Sequence, residues 1–174
     1  MAMITLRYLK KSDEEQFLES LEADWEDFPY AHYWESLAKE DFERYLEIIP
    51  GFPKGQHIPK DHVPCSFLFA FNENDDLVGR TSIRHELTDF LLKAGGHIGY
   101  AVLPDQRRKG YASAILKASL EYVRANLPHL EKVLVTCDEG NVGSEKTIIN
   151  NGGILENIVP TESGINKKRF WIKL

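Results

Sequence analysis

A short basic turn with a single glycine offers the clearest chemistry in this sequence. The turn is Gln106-Arg107-Arg108-Lys109-Gly110-Tyr111-Ala112, directly after an apolar run at 98–103. A glycine turn that opens a helix after a strand leaves backbone N–H groups without partners in the first helical turn, and the helix dipole adds positive potential there. Two arginines and a lysine add cationic charge, so we expect this turn to bind a di- or polyphosphate.

Hydrophobic periodicity predicts the elements that place this turn. Alternating and β-branched runs predict strands at 4–9, 66–71, 77–87, 96–103, 132–137, 154–159 and 168–174. Apolar residues at i, i+3 and i+4 spacing predict a helix over 111–127, and a shorter helix is predicted over 144–151. The segment 13–49 is helical in character with a break near Pro29, and Ser12 is its expected N-cap.

The order of these elements predicts an α/β fold, an α+β mixed sheet of about seven strands with flanking helices. The first strands should pair antiparallel, and the crossover from Gly99 to Val135 should place its two strands parallel. The repeated βα units of a doubly wound dinucleotide fold are missing. A length of 174 residues suits a single domain over 1–174.

Composition and charge exclude several classes of function. The net charge of −6 gives no reason to expect nucleic-acid binding, and no apolar run approaches membrane-spanning length. Cys65 and Cys137 show neither CxxC nor metal-ligand spacing, so no metal site and no disulfide are predicted. The N-terminus lacks a signal-peptide core, and we predict a cytoplasmic protein with free thiols.

The basic turn and a second block after the next strand together resemble the GCN5-related N-acetyltransferase (GNAT) superfamily. The pyrophosphate loop of that family, Gln/Arg-x-x-Gly-x-Gly/Ala, is matched by 107–112. Its second block has an Asn, a small residue three places on and a helix that ends in Gly, here Asn141, Ser144 and Gly152-Gly153. The resemblance implies a GNAT-like acyl-CoA N-acyltransferase fold. It also implies that acetyl-CoA donates an acetyl group to a primary amine of a small molecule or peptide, which attacks the thioester directly.

The same resemblance implies a coenzyme A site, residue by residue. The residues expected to bind the cofactor are Tyr100, Ala101, Val102, Arg107, Arg108, Lys109, Gly110, Tyr111, Ala112, Asn141 and Ser144. Backbone N–H groups from Arg108 to Ala112 would hold the pyrophosphate, and Gly110 would let the backbone approach closely. The strand at 100–102 would line the pantetheine arm and hold the acyl carbonyl, while its parallel neighbour splays away to admit the thioester.

One departure from the family concerns the general acid. Many members carry a Tyr four residues after the small residue of the second block and use it to protonate the leaving thiolate. The corresponding residue here is Ile148. Tyr100, Tyr111 or water could substitute, or protonation of the thiolate is not demanding. Tyr111 is our candidate catalytic residue from the sequence.

The general base is open among four side chains near strand ends. They are His85, Glu86, His97 and Asp138. We favour Glu86, then His97, because a carboxylate or imidazole near the strand centre can deprotonate an amine through water. A structural or surface role is the alternative for each of them.

The acceptor would meet an acidic, aromatic helical region and the loop at 51–64. The acidic residues are Glu22, Asp24, Glu26 and Asp27, and the aromatic residues are Trp25, Tyr30, Tyr33 and Trp34. The carboxylates would suit a cationic amine, and the aromatic rings could wall an acceptor pocket or simply pack in the core.

Three alternatives to this interpretation remain. The missing helix Tyr makes a non-catalytic acyl-CoA-binding module possible. Another kind of nucleotide-binding protein is weakly supported, because no P-loop is present. The charge run 107–109 could be an ordinary solvated surface.

The C-terminal strands, with Phe170 and Trp171, could form a homodimer across a two-fold axis or pack in the core.

Overall fold

The strands form two antiparallel sheets that meet edge to edge. The structure, a computed structural model, describes residues 2–23, 25 and 29–174, with the backbone alone described from 29 to 33. The first sheet has the strand order β1-β2-β3-β4, with β1 (Thr5–Arg7), β2 (Cys65–Phe71), β3 (Leu77–Arg84) and β4 (Ile98–Val102). The second has the order β5-β7-β6, with β5 (Lys132–Asp138), β6 (Ile154–Val159) and β7 (Lys167–Lys173).

Five α-helices lie in the described residues. They are α1 (Glu14–Ser20), α2 (Pro29–Glu40), α3 (Phe42–Ile48), α4 (Tyr111–Asn126) and α5 (Val142–Asn150). The predicted N-cap at Ser12 is wrong, because Ser12 lies inside a 3-10 turn and Asp13 precedes α1. Asp13 instead accepts the Lys10 N–H at 2.6 Å and pairs with the Arg7 guanidinium at 2.7 Å.

The α/β fold with seven strands is confirmed, but β4 and β5 are joined differently from ordinary parallel neighbours. Both strands are fully described, and they form no ladder with each other. The His97 N–H donates to the Leu134 carbonyl at 2.7 Å just before β4 begins. Gly96 allows this approach, because a Cβ there would lie 2.6 Å from the Leu134 oxygen. Beyond this joint the strands part.

Helices cover both faces of the first sheet, which explains why every residue of β2 is buried. On one face α4 buries Ile115, Leu116 and Val123, the apolar stripe that its periodicity predicted. On the other face α1 and α3 build an aromatic cluster in which the Phe17 ring lies 5.4 Å from the Phe69 ring. The edge β4 therefore sits between two packed layers, with its free side toward β5.

Candidate active site

The basic turn connects β4 to α4 through two residues with positive φ. Arg108 has φ +62° and Gly110 has φ +86°, and Gly110 occupies the N-cap position of α4. Only glycine adopts such a conformation routinely, because a Cβ crowds the following carbonyl. The nearest atom to a Cβ built on Gly110 is the Ala2 Cβ at 3.8 Å, so the space outside the turn is open.

Backbone N–H groups at this turn have no hydrogen-bond partner among the described residues. Among the hydrogen bonds of the described residues, none uses the backbone N–H groups from 108 to 113. The first backbone N–H of α4 with a partner is that of Ala114, which donates to the Gly110 carbonyl at 3.2 Å. Arg108, Lys109 and Gly110 are exposed. Six amide donors at a helix N-terminus form a cradle with positive potential, which suits the phosphate ligand expected from the sequence.

The three basic side chains of the turn take different directions. Arg107 folds back, and its Nε donates to the Val102 carbonyl at 3.3 Å. The Lys109 ammonium contacts the Gln106 side-chain oxygen at 3.1 Å. Arg107 therefore stabilises the end of β4, whereas the exposed Arg108 and Lys109 are placed to meet an anion.

The free edge of β4 presents backbone donors to the gap beside β5. The Leu103 N–H donates to the Val78 carbonyl at 3.0 Å, and the Arg84 N–H donates to the His97 carbonyl at 2.7 Å. Since hydrogen-bonding direction alternates along an antiparallel strand, the N–H groups of Tyr100 and Val102 point toward β5. The N–H of Ala101 points toward β3, so the three strand residues named from the sequence divide into two donors and one face residue.

The second block caps α5 and reaches across the gap. The Asn141 side-chain oxygen accepts the Ser144 N–H at 3.0 Å, which makes Asn141 the N-cap of α5. The Ser144 hydroxyl oxygen lies 2.9 Å from the Tyr100 phenol oxygen. Ile148 is fully buried in the core and offers no proton donor. The block thus links β4 and α5 through two hydroxyl groups.

The two candidate tyrosines occupy different surroundings. Burial raises the pKa of Tyr100 to about 12, although its hydrogen bond to Ser144 acts in the opposite direction. Its phenol therefore keeps its proton at neutral pH. Tyr111, at the first position of α4, packs against the apolar cluster of Val78, Val102 and Ile115.

His97 joins the two sheets with its side chain as well as its backbone. Its Nδ1 accepts the Leu134 N–H at 2.9 Å, and its ring is buried. Burial, and then the nearby Arg84 and His129, lowers the pKa of His97 to about 4. A neutral ring whose Nδ1 accepts carries its proton on Nε2, so no lone pair is left to act as a base. This geometry favours a joint between the sheets.

The other base candidates lie at strand ends. Glu86 is exposed and lies two residues beyond the end of β3. Since Ile83 of β3 pairs with Ile98, the first residue of β4, Glu86 lies past the start of β4. It is therefore at the opposite end of β4 from the basic turn. His85 Nε2 lies 2.9 Å from the Ser66 hydroxyl, and Asp138 forms an ion pair with Lys167. Burial and the neighbouring His129 lower the pKa of His85.

A buried ion pair on the opposite face of the sheet was not predicted. Arg80, whose side chain is 1% exposed, lies 3.3 Å from the Glu35 carboxylate and 4.1 Å from the centre of the Trp25 ring. Burial lowers the pKa of Arg80 to about 10, against the influence of Glu35. Arg80 pairs with Ala101 in the sheet, so both share one face. An arginine in the middle of a predicted strand was the sequence signal for this pair.

Only part of the expected acceptor region falls within the described residues. Glu22 is exposed and pairs with Lys39 at 3.1 Å. Trp25 is buried, and the Trp34 ring lies 6.2 Å from the Phe52 ring. Asp24, Glu26 and Asp27, with the side chains of Tyr30 and Tyr33, lie outside the described residues.

The described residues hold neither a cluster of metal-ligand side chains nor a helix fit to span a membrane. In this part of the chain no three His, Cys, Asp or Glu side chains gather as metal ligands would. None of the described helices combines the length and apolar character needed to cross a membrane.

Comparison with known proteins points to one family. A model of the acetyltransferase (GNAT) domain matches residues 3–153. Curated protein sequences give no significant match. A ribosomal L7/L12 α-N-protein acetyltransferase in complex with coenzyme A has a TM-score of 0.68 and 15% identity, over 100% of this chain and 96% of that chain.

Two other solved structures share the fold at similarly low identity. A GNAT-family acetyltransferase from Bacillus anthracis has a TM-score of 0.65 and 18% identity, over 99% of this chain and 96% of that chain. A spermidine/spermine N-acetyltransferase from Vibrio cholerae has a TM-score of 0.62 and 17% identity, over 98% and 92%. Such likeness establishes the fold and leaves the acceptor open.

Proposed function

The chain belongs to the GNAT acetyltransferase family and is an N-acetyltransferase, and we propose that it moves an acetyl group from acetyl-CoA to a primary amine of a small molecule or peptide. The observation that carries the proposal is the strand–turn–helix at 98–126. There, six backbone N–H groups without a hydrogen-bond partner among the described residues open a helix, beside two strands that form no ladder with each other. A pyrophosphate with a thioester arm fits both features, because one end needs amide donors and the other needs a slot.

The basic turn would bind the pyrophosphate of coenzyme A. The N–H groups from Arg108 to Ala112 would donate to phosphate oxygens, and the dipole of α4 would favour their charge. The exposed Arg108 and Lys109 side chains would add charge, while Arg107 holds the end of β4. Gly110 is needed because its φ of +86° aims the following amides outward.

The free edge of β4 would hold the reacting carbonyl. The N–H groups of Tyr100 and Val102 face the gap, where either can donate to the acetyl oxygen. Fixed amide donors stabilise negative charge that develops on that oxygen during attack. Because the thioester is already activated, the amine can attack it directly and no covalent enzyme intermediate is required.

The attacking amine must lose a proton, and two carboxylates can take it. Glu86 is the candidate from the sequence, but it lies past the start of β4. Glu35 pairs with Arg80 on the face of the sheet that Ala101 shares, which places it closer to the level of the donors. We therefore propose to compare Glu86→Gln with Glu35→Gln. Loss of the acidic limb of the kcat/KM profile would identify the base.

The acceptor class we propose is a cationic or peptide amine. The exposed Glu22 carboxylate and the Glu35 carboxylate lie on or next to the helices that cover the Ala101 face. Negative charge near an amine site attracts ammonium substrates and can hold them before deprotonation. A panel of spermidine, amino-acid amides and peptides with free α-amines would separate small cationic acceptors from peptide ones.

The first test is binding followed by turnover. Calorimetric titration with acetyl-CoA, CoA, ATP and NAD should show binding of the CoA compounds alone. Release of free CoA thiol with any amine of the panel would then show transferase activity. CoA binding without thiol release would favour the alternative, a non-catalytic acyl-CoA-binding module, for which the buried Ile148 is the supporting observation. No CoA binding at all would reject both.

We further propose a cytoplasmic homodimer. Cys65 and Cys137 are free and buried, which suits a reducing compartment. The edge strand β6 carries exposed apolar side chains, with Ile154 70% and Leu155 45% exposed, and such a strand can pair with a second copy. Sedimentation velocity of the wild-type protein and of Ile154→Lys would test this, since the substitution should dissociate a dimer formed through β6.

A further inference from the structure

Two hydroxyl groups, one from β4 and one from α5, lie within hydrogen-bond distance of each other. We propose that Tyr100, together with Ser144, protonates the leaving thiolate of coenzyme A, a step that rests on the proposed acetyl transfer. The phenol comes from β4 and the Ser144 hydroxyl from the first turn of α5, and their oxygens are 2.9 Å apart. The two groups therefore come from different elements, a strand on one side and the helix that follows β5 on the other.

The sheet joint fixes the level of this pair. His97 and Leu134 are joined by hydrogen bonds. Tyr100 lies three residues after His97 and Cys137 three residues after Leu134, so Tyr100 and Cys137 lie at the same level of their strands. The ring of Tyr100 packs against the cluster that contains Cys137 and Ile148. A sulfur that enters between the parted strands must therefore pass beside the phenol.

The pair lies on the face of the sheet opposite the carboxylate candidate Glu35. Tyr100 is opposite Thr81, whose hydroxyl contacts Ser119 of α4 at 3.0 Å. Arg80 and its partner Glu35 lie on the other face. Proton removal from the amine and proton delivery to the sulfur would thus occur on opposite faces, so the two groups do not exchange protons with each other.

The local chemistry keeps the phenol ready to donate. Burial holds the Tyr100 proton in place at neutral pH, because it penalises the phenolate. Asn141 fixes the Ser144 backbone by capping α5, which holds the serine hydroxyl against the phenol. Tyr111 packs instead against Val78 and Val102 beside the basic turn.

The proposed step balances as follows. The bond between the amine nitrogen and the acetyl carbon forms, the bond between that carbon and sulfur breaks, and its electron pair stays on sulfur. The sulfur takes the Tyr100 hydroxyl proton, either directly or through Ser144, to give the free thiol of coenzyme A. Solvent returns a proton to the phenolate, and the base takes the proton that the amine loses.

The test uses Tyr100→Phe with Tyr122→Phe as the matched control. The phenol oxygen of Tyr122 also lies within hydrogen-bond distance of a serine, 3.0 Å from the Ser66 Oγ. This contact is on β2, away from the free edge of β4. Two readouts are measured on the full chain: kcat at saturating acetyl-CoA, and the pKa of the bound CoA thiol from thiolate absorbance in the ultraviolet.

Tyr100→Phe should lower kcat about 100-fold, the low end for a lost general acid, with the KM for acetyl-CoA within about two-fold. The pKa of the bound thiol should rise, since the thiolate loses its donor. Ser144→Ala should produce a smaller change of the same sign. Tyr122→Phe should shift the melting temperature to a similar extent and leave the thiol pKa unchanged.

Two results would overturn the inference while the acetyltransferase activity stands. One is an unchanged thiol pKa in Tyr100→Phe, and the other is a raised KM with an unchanged kcat, which would make the phenol a lining residue. An inactive wild-type protein that still binds CoA would instead reject the proposed function itself, so the two failures are distinguishable.

Discussion

Two strand-to-helix junctions, from β4 to α4 and from β5 to α5, are built alike but differ in how their first helical amides are paired. Each has a glycine at positive φ near the helix start, Gly110 with φ +86° before α4 and Gly140 with φ +96° before α5. At α5 the Asn141 side chain accepts the Ser144 N–H. At α4 the amides from 108 to 113 find no acceptor among the described residues.

The difference shows how a helix start can serve either a ligand or the fold. A capping side chain contributes about 1 kcal/mol to stability, and an uncapped start forgoes that contribution until an anion takes its place. The capped junction holds Ser144 in position against Tyr100. We therefore propose that the α4 junction binds an anion, whereas the capped α5 junction holds Ser144 in position.

Gly110→Glu, at the α4 junction, should have the largest effect on CoA binding. A carboxylate at this turn repels phosphate, and the residue must also adopt a positive φ. We expect the affinity for CoA to fall by at least about 100-fold, which calorimetry would measure. Gly140→Glu carries the same charge and strain at the other junction, so equal losses in both variants would show that only folding was affected.

The joint between the two sheets at His97 and Leu134 should be sensitive to acid. The pKa of His97 is about 4 in the folded chain, below its usual 6.5. The unfolded chain therefore binds more protons between about pH 6.5 and 4, and the free energy of unfolding falls as the pH drops through this window, by roughly 3 kcal/mol.

His97→Asn is the matched variant for that measurement. Its amide oxygen can accept the Leu134 N–H, as Nδ1 does now, but it does not titrate. Urea unfolding at pH 7 and pH 4 should show a flatter pH dependence in the variant. An equally steep fall in both proteins would assign the acid sensitivity to other groups.

Asn141→Ala should destabilise the protein by about 1 kcal/mol, because the N-cap of α5 is lost. Asn141→Ser should recover most of this, and the midpoint of urea unfolding would measure both. If the alanine variant also weakened CoA binding while the serine variant did not, the cap would be needed for the site. Weaker binding in both would make Asn141 a ligand as well.

The smallest effect expected is that of Arg108→Gln. Loss of one exposed charge at the open junction should weaken CoA binding only a few-fold, and less at high salt. Arg124→Gln, at the far end of α4, removes an equal charge and should leave the affinity unchanged. Equal effects would mean that net charge, rather than position, sets the affinity.

Local features of both junctions could be predicted from the sequence. The glycine turn and the start of α4 at Tyr111 follow from residues within a few positions of one another. The short helix predicted over 144–151 is observed as α5, which begins two residues earlier. The expected cap at Ser12 failed because the Arg7 guanidinium stabilises Asp13 there, a contact that spacing alone does not reveal.

Contacts between distant segments could not be predicted in this way. The sequence spacing of Tyr100 and Ser144 gives no sign that their hydroxyl groups meet, and Arg80 and Glu35 lie 45 positions apart. Both contacts depend on how sheets and helices stack, which hydrophobic periodicity leaves undetermined. Local turns and helix starts could therefore be predicted, whereas contacts between distant segments could not.

Gly96 gives the chain an unusually intolerant position. It combines φ +68° with ψ −177°, a conformation that is essentially restricted to glycine, and any side chain would collide with the Leu134 carbonyl. In evolutionary terms, most changes of that codon would separate the sheets at the point where the slot begins. A residue with no side chain thus places one of the tightest mutational constraints on this fold.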